Sequence, residues 1–194
     1  MLKYLVFVGA IISLVFGVLP YIKDTLRGNT KPNRVTWLIW ALAPLIATFA
    51  AIADGVGWSV LPVFMAGFGS LLIFVVSFVN KNSYWKLETF DYFCGFCSLL
   101  ALALWAITKE PVVAIILAIV SDGFAAVPTL IKSWKHPETE TLAAYIAPLF
   151  GILTGFTAIK TWNFSSLAFP IYLLIISILI IFAILRPKMM KKFK

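Results

Sequence analysis

Asp122 is the residue whose type and place most suggest chemistry. It lies inside an apolar run, eleven positions after Pro111 and nine before Ile131. The other acids, Asp24, Asp54, Glu88, Asp91, Glu110, Glu138 and Glu140, fall in expected loops or at helix ends. A charged aspartate at the centre of a membrane helix costs ~2.5–3.5 kcal/mol on insertion scales. No lysine, arginine or histidine is expected at matching depth to offset that cost. The carboxyl is therefore expected to be protonated at rest, or to face a water-filled cavity that a solute or proton can reach. Ser121, Tyr145 and Thr154 are the hydroxyls expected beside it. The competing reading is a structural acid bonded to a neighbouring helix.

A second constellation is Asn33, Trp37, Trp40 and Pro44. Their spacing of i, i+4, i+7 and i+11 puts them on one helix face. An amide, two indole N–H donors and a proline there could line a polar cavity and stack on a ring. Trp37 fits an interfacial aromatic belt equally well. Thr141, Tyr145 and Pro148 form a similar face later in the chain, which makes Tyr145 the expected partner of Trp40 across a cavity. The pair Cys94 and Cys97 has neither a βαβ context nor further ligands, and the one histidine, His136, is far away. It reads as two small packing residues rather than a redox or metal site. With no nucleophile–base pair, metal cluster or phosphate loop, no enzymatic activity, cofactor or metal is expected.

The elements that must position these residues are membrane helices. Of the 194 residues, 62% are apolar and 12% charged, about half the charge of a soluble domain. Spanning the hydrocarbon takes ~20 helical residues. Seven stretches qualify, at 3–22, 35–54, 58–79, 91–108, 111–131, 141–160 and 164–185. The first lacks a small-x-small cleavage site and is taken as a helix rather than a signal peptide. The net charge of +8 sits in the connections and the tail, not on an amphipathic face. It reads as a topology signal and an attraction to anionic lipid, not as a nucleic-acid site. Counted by side, Lys and Arg divide thirteen to three. This puts the N-terminus outside and the C-terminus in the cytoplasm of a multi-pass cell-membrane protein.

The segments also repeat. The first ends Gly17-Val18-Leu19-Pro20-Tyr21-Ile22-Lys23 and the fifth Ala126-Val127-Pro128-Thr129-Leu130-Ile131-Lys132. Each is followed by a polar basic loop containing proline. The second and sixth then place Pro44 and Pro148 three residues before the small pairs Ala47/Ala51 and Gly151/Gly155, a spacing that lets membrane helices approach closely. Pro62 and Pro170 mark the third and seventh. The expected architecture is an all-α membrane protein of seven transmembrane helices in a 3+1+3 parallel repeat. A first three-helix repeat covers 1–80, a linker helix 81–110, and a second repeat with a basic cytoplasmic tail 111–194.

This order of features resembles the SWEET and PQ-loop superfamily over nearly the whole chain. In that family a proline followed by glutamine closes the first helix of each repeat; here Tyr21 and Thr129 follow the prolines. Sugar-carrying members place an asparagine inside the third helix of each repeat, whereas Asn80 and Asn163 stand at helix ends. Vitamin carriers of the nicotinamide riboside type are similar in plan, with tryptophan pairs that resemble Trp37 and Trp40. The resemblance implies that the third helix of each repeat lies between the other two. It also implies an alternating-access carrier that moves a small polar solute through a midplane site between the repeats. The expected substrate-binding residues are Asp122, Trp40, Trp37, Asn33, Tyr145 and Ser121, with Pro20, Pro44, Pro128 and Pro148 as hinges. The expected partners are a small-molecule solute and the lipid bilayer, and a homo-oligomer is compatible with the plan. The alternative is a non-transporting receptor or assembly factor of the same build.

Overall fold

A computed structural model of the chain describes residues 2–108 and 110–192. Lys109 and Lys194, both counted in the charge asymmetry, lie outside the described residues. The fold is all-helical, with seven helices and no strand among the described residues. Helix α1 comprises Leu2–Ser13, a π-helical turn Leu14–Val18 and Leu19–Arg27. Helix α2 is Arg34–Ala53. A 3-10 turn, Trp58–Val60, leads into α3, Leu61–Val76. Helices α4, Thr89–Thr108, α5, Pro111–Lys135, α6, Ala143–Thr157, and α7, Phe164–Lys192, complete the set.

Among the described residues, five spans are long and apolar enough to cross a bilayer: Lys3–Arg27, Arg34–Ala53, Trp58–Val76, Pro111–Lys135 and Phe164–Pro187. Many large apolar side chains face outward, among them Phe16, Phe49, Val79 and Ile107. Patches of this extent are foreign to a water-soluble monomer and suit contact with lipid.

The helix ends follow local chemistry. Helix α1 runs past the expected residue 22 because nothing stops it until Gly28, whose φ of 83° closes the C-terminus in the left-handed region. Pro20 has no N–H, and its ring crowds the carbonyl four residues back. The π turn just before it widens the ladder, with Leu19 N–H donating to the Leu14 carbonyl. Helix α6 is shorter than the expected stretch 141–160. Glu140 is extended, with φ −120° and ψ 144°, and Pro137–Thr139 forms a separate 3-10 turn.

Within the bundle, α3 packs against both α1 and α2, and α7 packs against both α5 and α6. Helices α1 and α2 share no substantial face with one another, nor do α5 and α6, among the described residues. Between these groups, α1 packs on α6 and α2 on α5, while α4 lies against α5 and α2. The Gly151/Gly155 pair explains one close approach. A Cβ at Gly155 would come within 2.9 Å of Pro62, and Gly151 faces the backbone of Gly9.

Candidate ligand cavity

A cavity of ≈ 80 Å³ opens where α2, α3, α5, α6 and α7 converge. One water needs ~10–15 Å³ of such space, so it admits roughly six waters or a small organic head group. Trp37, Trp40, Asp122 and Tyr145 all line it. Pro44, Pro62 and Pro148 do so as well. The missing N–H of Pro44 and of Pro148 leaves the carbonyls of Trp40 and of Ala144, another lining residue, without their helical amides.

The aromatic wall is a continuous chain. Tyr21 and Trp37 have ring centroids 4.8 Å apart, Trp37 and Trp40 meet edge-on at 5.3 Å, and Trp40 and Tyr145 edge-on at 6.4 Å. Trp37 is 4% exposed, so it belongs to this wall rather than to an interfacial belt.

Asp122 is 1% exposed. Tyr172 of α7 donates its hydroxyl to Asp122 Oδ2 at 2.7 Å. Trp40 Nε1 donates to the Asp122 main-chain oxygen at 3.4 Å, which meets the need of a buried indole N–H for a partner. Asp122 Oδ1 is buried without a hydrogen-bond partner among the described residues. The hydroxyls expected there are engaged elsewhere or turned away. Tyr145 donates to Glu140 and Thr154 to the Gly151 carbonyl, and Ser121 Oγ has no partner. Helix α7 instead supplies Tyr172, the one tyrosine in that helix.

Asn33 does not join the cavity. It is the N-cap of α2, with φ −77° and ψ 108°, so the helical periodicity that placed it on the tryptophan face ends one residue later. Its Oδ1 accepts from Val35 N–H and Thr36 N–H, and its Nδ2 donates to Asp91 Oδ1 at 2.8 Å. Ser121 is buried on the side of α5 facing α4, where its carbonyl accepts from Ser98 Oγ at 2.7 Å. Pro20 and Pro128 lie outside the cavity lining, whereas Pro44 and Pro148 are part of it. Cys94 and Cys97 are free thiols, and no metal-ligating cluster of His, Cys, Asp and Glu occurs among the described residues.

Below the aromatic wall is a buried polar cluster that sequence reasoning missed, because Glu140 looked like a loop residue. Glu140 Oε2 accepts from the Tyr21 hydroxyl at 3.1 Å and the Tyr145 hydroxyl at 2.8 Å. Its Oε1 is ion-paired with Lys132 Nζ, both side chains being essentially inaccessible. Lys132 Nζ also donates to the Lys31 carbonyl and lies 5.2 Å from the Trp85 ring centroid. Beside it, Thr141 Oγ1 donates to Asp24 Oδ2, and Thr30 and Thr141 share a 2.7 Å hydrogen bond. The cluster ties the α1–α2 connection to the α5–α6 connection. The only sequence signal was two hydroxyl-bearing residues, Tyr21 and Thr129, directly after the repeated prolines. Tyr21 reaches Glu140, and Thr129 Oγ1 donates to Thr36 Oγ1 at 3.1 Å near the start of α2.

The opposite end, at the α2–α3 and α6–α7 connections, carries a separate, larger pocket of ≈ 780 Å³ bordered by Lys3, Asp54, Lys160 and Asn163. No family model matches the chain, and comparison with curated proteins and with solved structures returned no match.

Proposed function

We propose that the chain is a membrane carrier of the SWEET-like, alternating-access type, moving a small polar solute through the Asp122 cavity. The observation that carries this reading is a buried aspartate, its Oδ1 unpartnered among the described residues, in the wall of a cavity lined by both three-helix groups. The proposed architecture is two parallel three-helix repeats, α1–α3 and α5–α7, joined by α4. Its support is the crosswise packing of α1 on α6 and α2 on α5, with α3 and α7 as the middle helix of each group. Corresponding prolines, and corresponding hydrogen bonds from Tyr21 and Thr129 across the groups, point the same way.

On this reading the larger pocket marks the outer end and the Glu140–Lys132 cluster closes the inner end. The state described is one in which the cytoplasmic side is shut. Releasing the cluster while the two groups rock about the proline-containing segments would expose the cavity inward. The N-terminus is placed outside and the C-terminus in the cytoplasm by the charge asymmetry. No catalytic chemistry is proposed.

The purified chain in proteoliposomes, screened against labelled small metabolites, tests the function. Saturable, competable uptake supports a carrier. Saturable binding without flux sinks it in favour of a non-transporting receptor.

A further inference from the structure

We propose that the cavity takes a small organic monocation, a protonated amine or quaternary ammonium, held by the unpaired Oδ1 of Asp122 and the rings of Trp37, Trp40 and Tyr145. The proposal rests on the reading of this cavity as the solute site and names the chemical class that fits it.

The chemistry of the lining favours a cation over the other classes. An anion would meet the Asp122 carboxylate, and among the described residues no lysine, arginine or histidine lines the cavity to hold it. A neutral polyol would find Trp37 Nε1, three serine hydroxyls and the Trp40 and Ala144 carbonyls, but would leave the Asp122 charge unmatched. The Tyr145 hydroxyl is committed to Glu140, and Trp40 Nε1 points at the Asp122 carbonyl. The rest is mostly aliphatic, apart from Ser13, Ser70 and Ser177.

A monocation matches both features at once. Asp122 Oδ1 is unmatched by the protein in either protonation state: as a carboxylate oxygen it lacks a donor, and as O–H it would lack an acceptor. A cation supplies the missing positive partner, and its alkyl surface rests on aromatic faces, where desolvated cations are attracted by the ring quadrupole. The protein's own cations nearby are engaged elsewhere. Lys132 is on Glu140 and Trp85, and Arg34 lies between the Phe78 and Tyr84 rings at 4.2 and 4.6 Å. The space available suits a head group the size of tetramethylammonium.

The test is calorimetric titration of the detergent-purified full chain with methylammonium and tetramethylammonium, with tert-butanol as a neutral control of similar size. At least one cation should bind saturably and tert-butanol should not. Asp122→Asn, checked for helicity, should weaken cation binding by roughly tenfold or more. Trp40→Leu should weaken it by roughly tenfold, and serves if the Asn variant does not fold. Binding of neither cation, equal binding of tert-butanol, or parent-like cation affinity in both variants overturns the proposal. The same cations are then offered as counterflow substrates in proteoliposomes. Cation binding without flux upholds this site and overturns the carrier reading, whereas flux of neutral solutes without cation binding does the reverse.

Discussion

Glu140→Gln isolates the charge in the buried cluster while keeping its shape. If the amide oxygen takes the Oε2 position, it accepts from Tyr21 and Tyr145 as now, but its NH₂ faces the Lys132 ammonium. If the amide flips, its oxygen faces Lys132 and both tyrosine hydroxyls must accept instead. In the first case Lys132 keeps only the Lys31 carbonyl and the Trp85 ring; in the second it gains the amide oxygen; in neither does it keep a countercharge. Removing one member of a buried ion pair costs ~3–5 kcal/mol, because the other charge is left uncompensated. An exposed pair is worth ~0–1 kcal/mol. The Lys132 and Glu140 side chains are 1% and 0% exposed, so the larger figure applies. Lys132→Met should cost a similar amount by leaving Glu140 charged and unpaired. The double variant holds no buried charge there and should regain most of the loss. Equilibrium unfolding in mixed micelles, followed by the fluorescence of the 7 tryptophans, reads all four corners of the cycle. Single substitutions costing ~1 kcal/mol or less, or costs that simply add, would refute a buried, coupled pair.

Two further outcomes are expected. Tyr145→Phe keeps the ring beside Trp40 but removes the hydroxyl on Glu140. It should lower stability by ~1 kcal/mol, and leave ligand affinity within about twofold because the aromatic face remains. In a background lacking Cys94 and Cys97, a cysteine at Lys109 should label from outside with an impermeant maleimide, and one at Lys135 should not. The reverse pattern inverts the orientation derived from the thirteen-to-three charge count.

The parts legible in the sequence are those governed by short-range periodicity. Trp37, Trp40 and Pro44 share a face because they sit within one regular helix, and Asp122 stands out because a membrane segment hides charge badly. Five of the expected segments reappear as spans because hydropathy over ~20 residues decides them. Asn33 was misplaced because periodicity was extended across a helix boundary, where capping chemistry takes over. Tyr172 and Glu140 were missed for a different reason. Tyr172 meets Asp122 from 50 residues away and Tyr21 meets Glu140 from 119. The nearer partners of Glu140, Lys132 and Tyr145, stand on either side of an irregular connection that no periodicity describes. Glu140 in particular sits next to a 3-10 turn, where no helical face exists to reveal that it points inward.

The central claim is that solute passes through the cavity at Asp122. The most direct measurement is initial uptake into proteoliposomes by the parent and Asp122→Asn proteins, compared at equal reconstituted amount and equal helicity. Asparagine keeps the size of the side chain and can still accept from Tyr172, so folding should be preserved while saturable uptake falls to the level of empty liposomes. Uptake by the Asn variant at the parent rate and affinity would make Asp122 a structural acid and contradict the account.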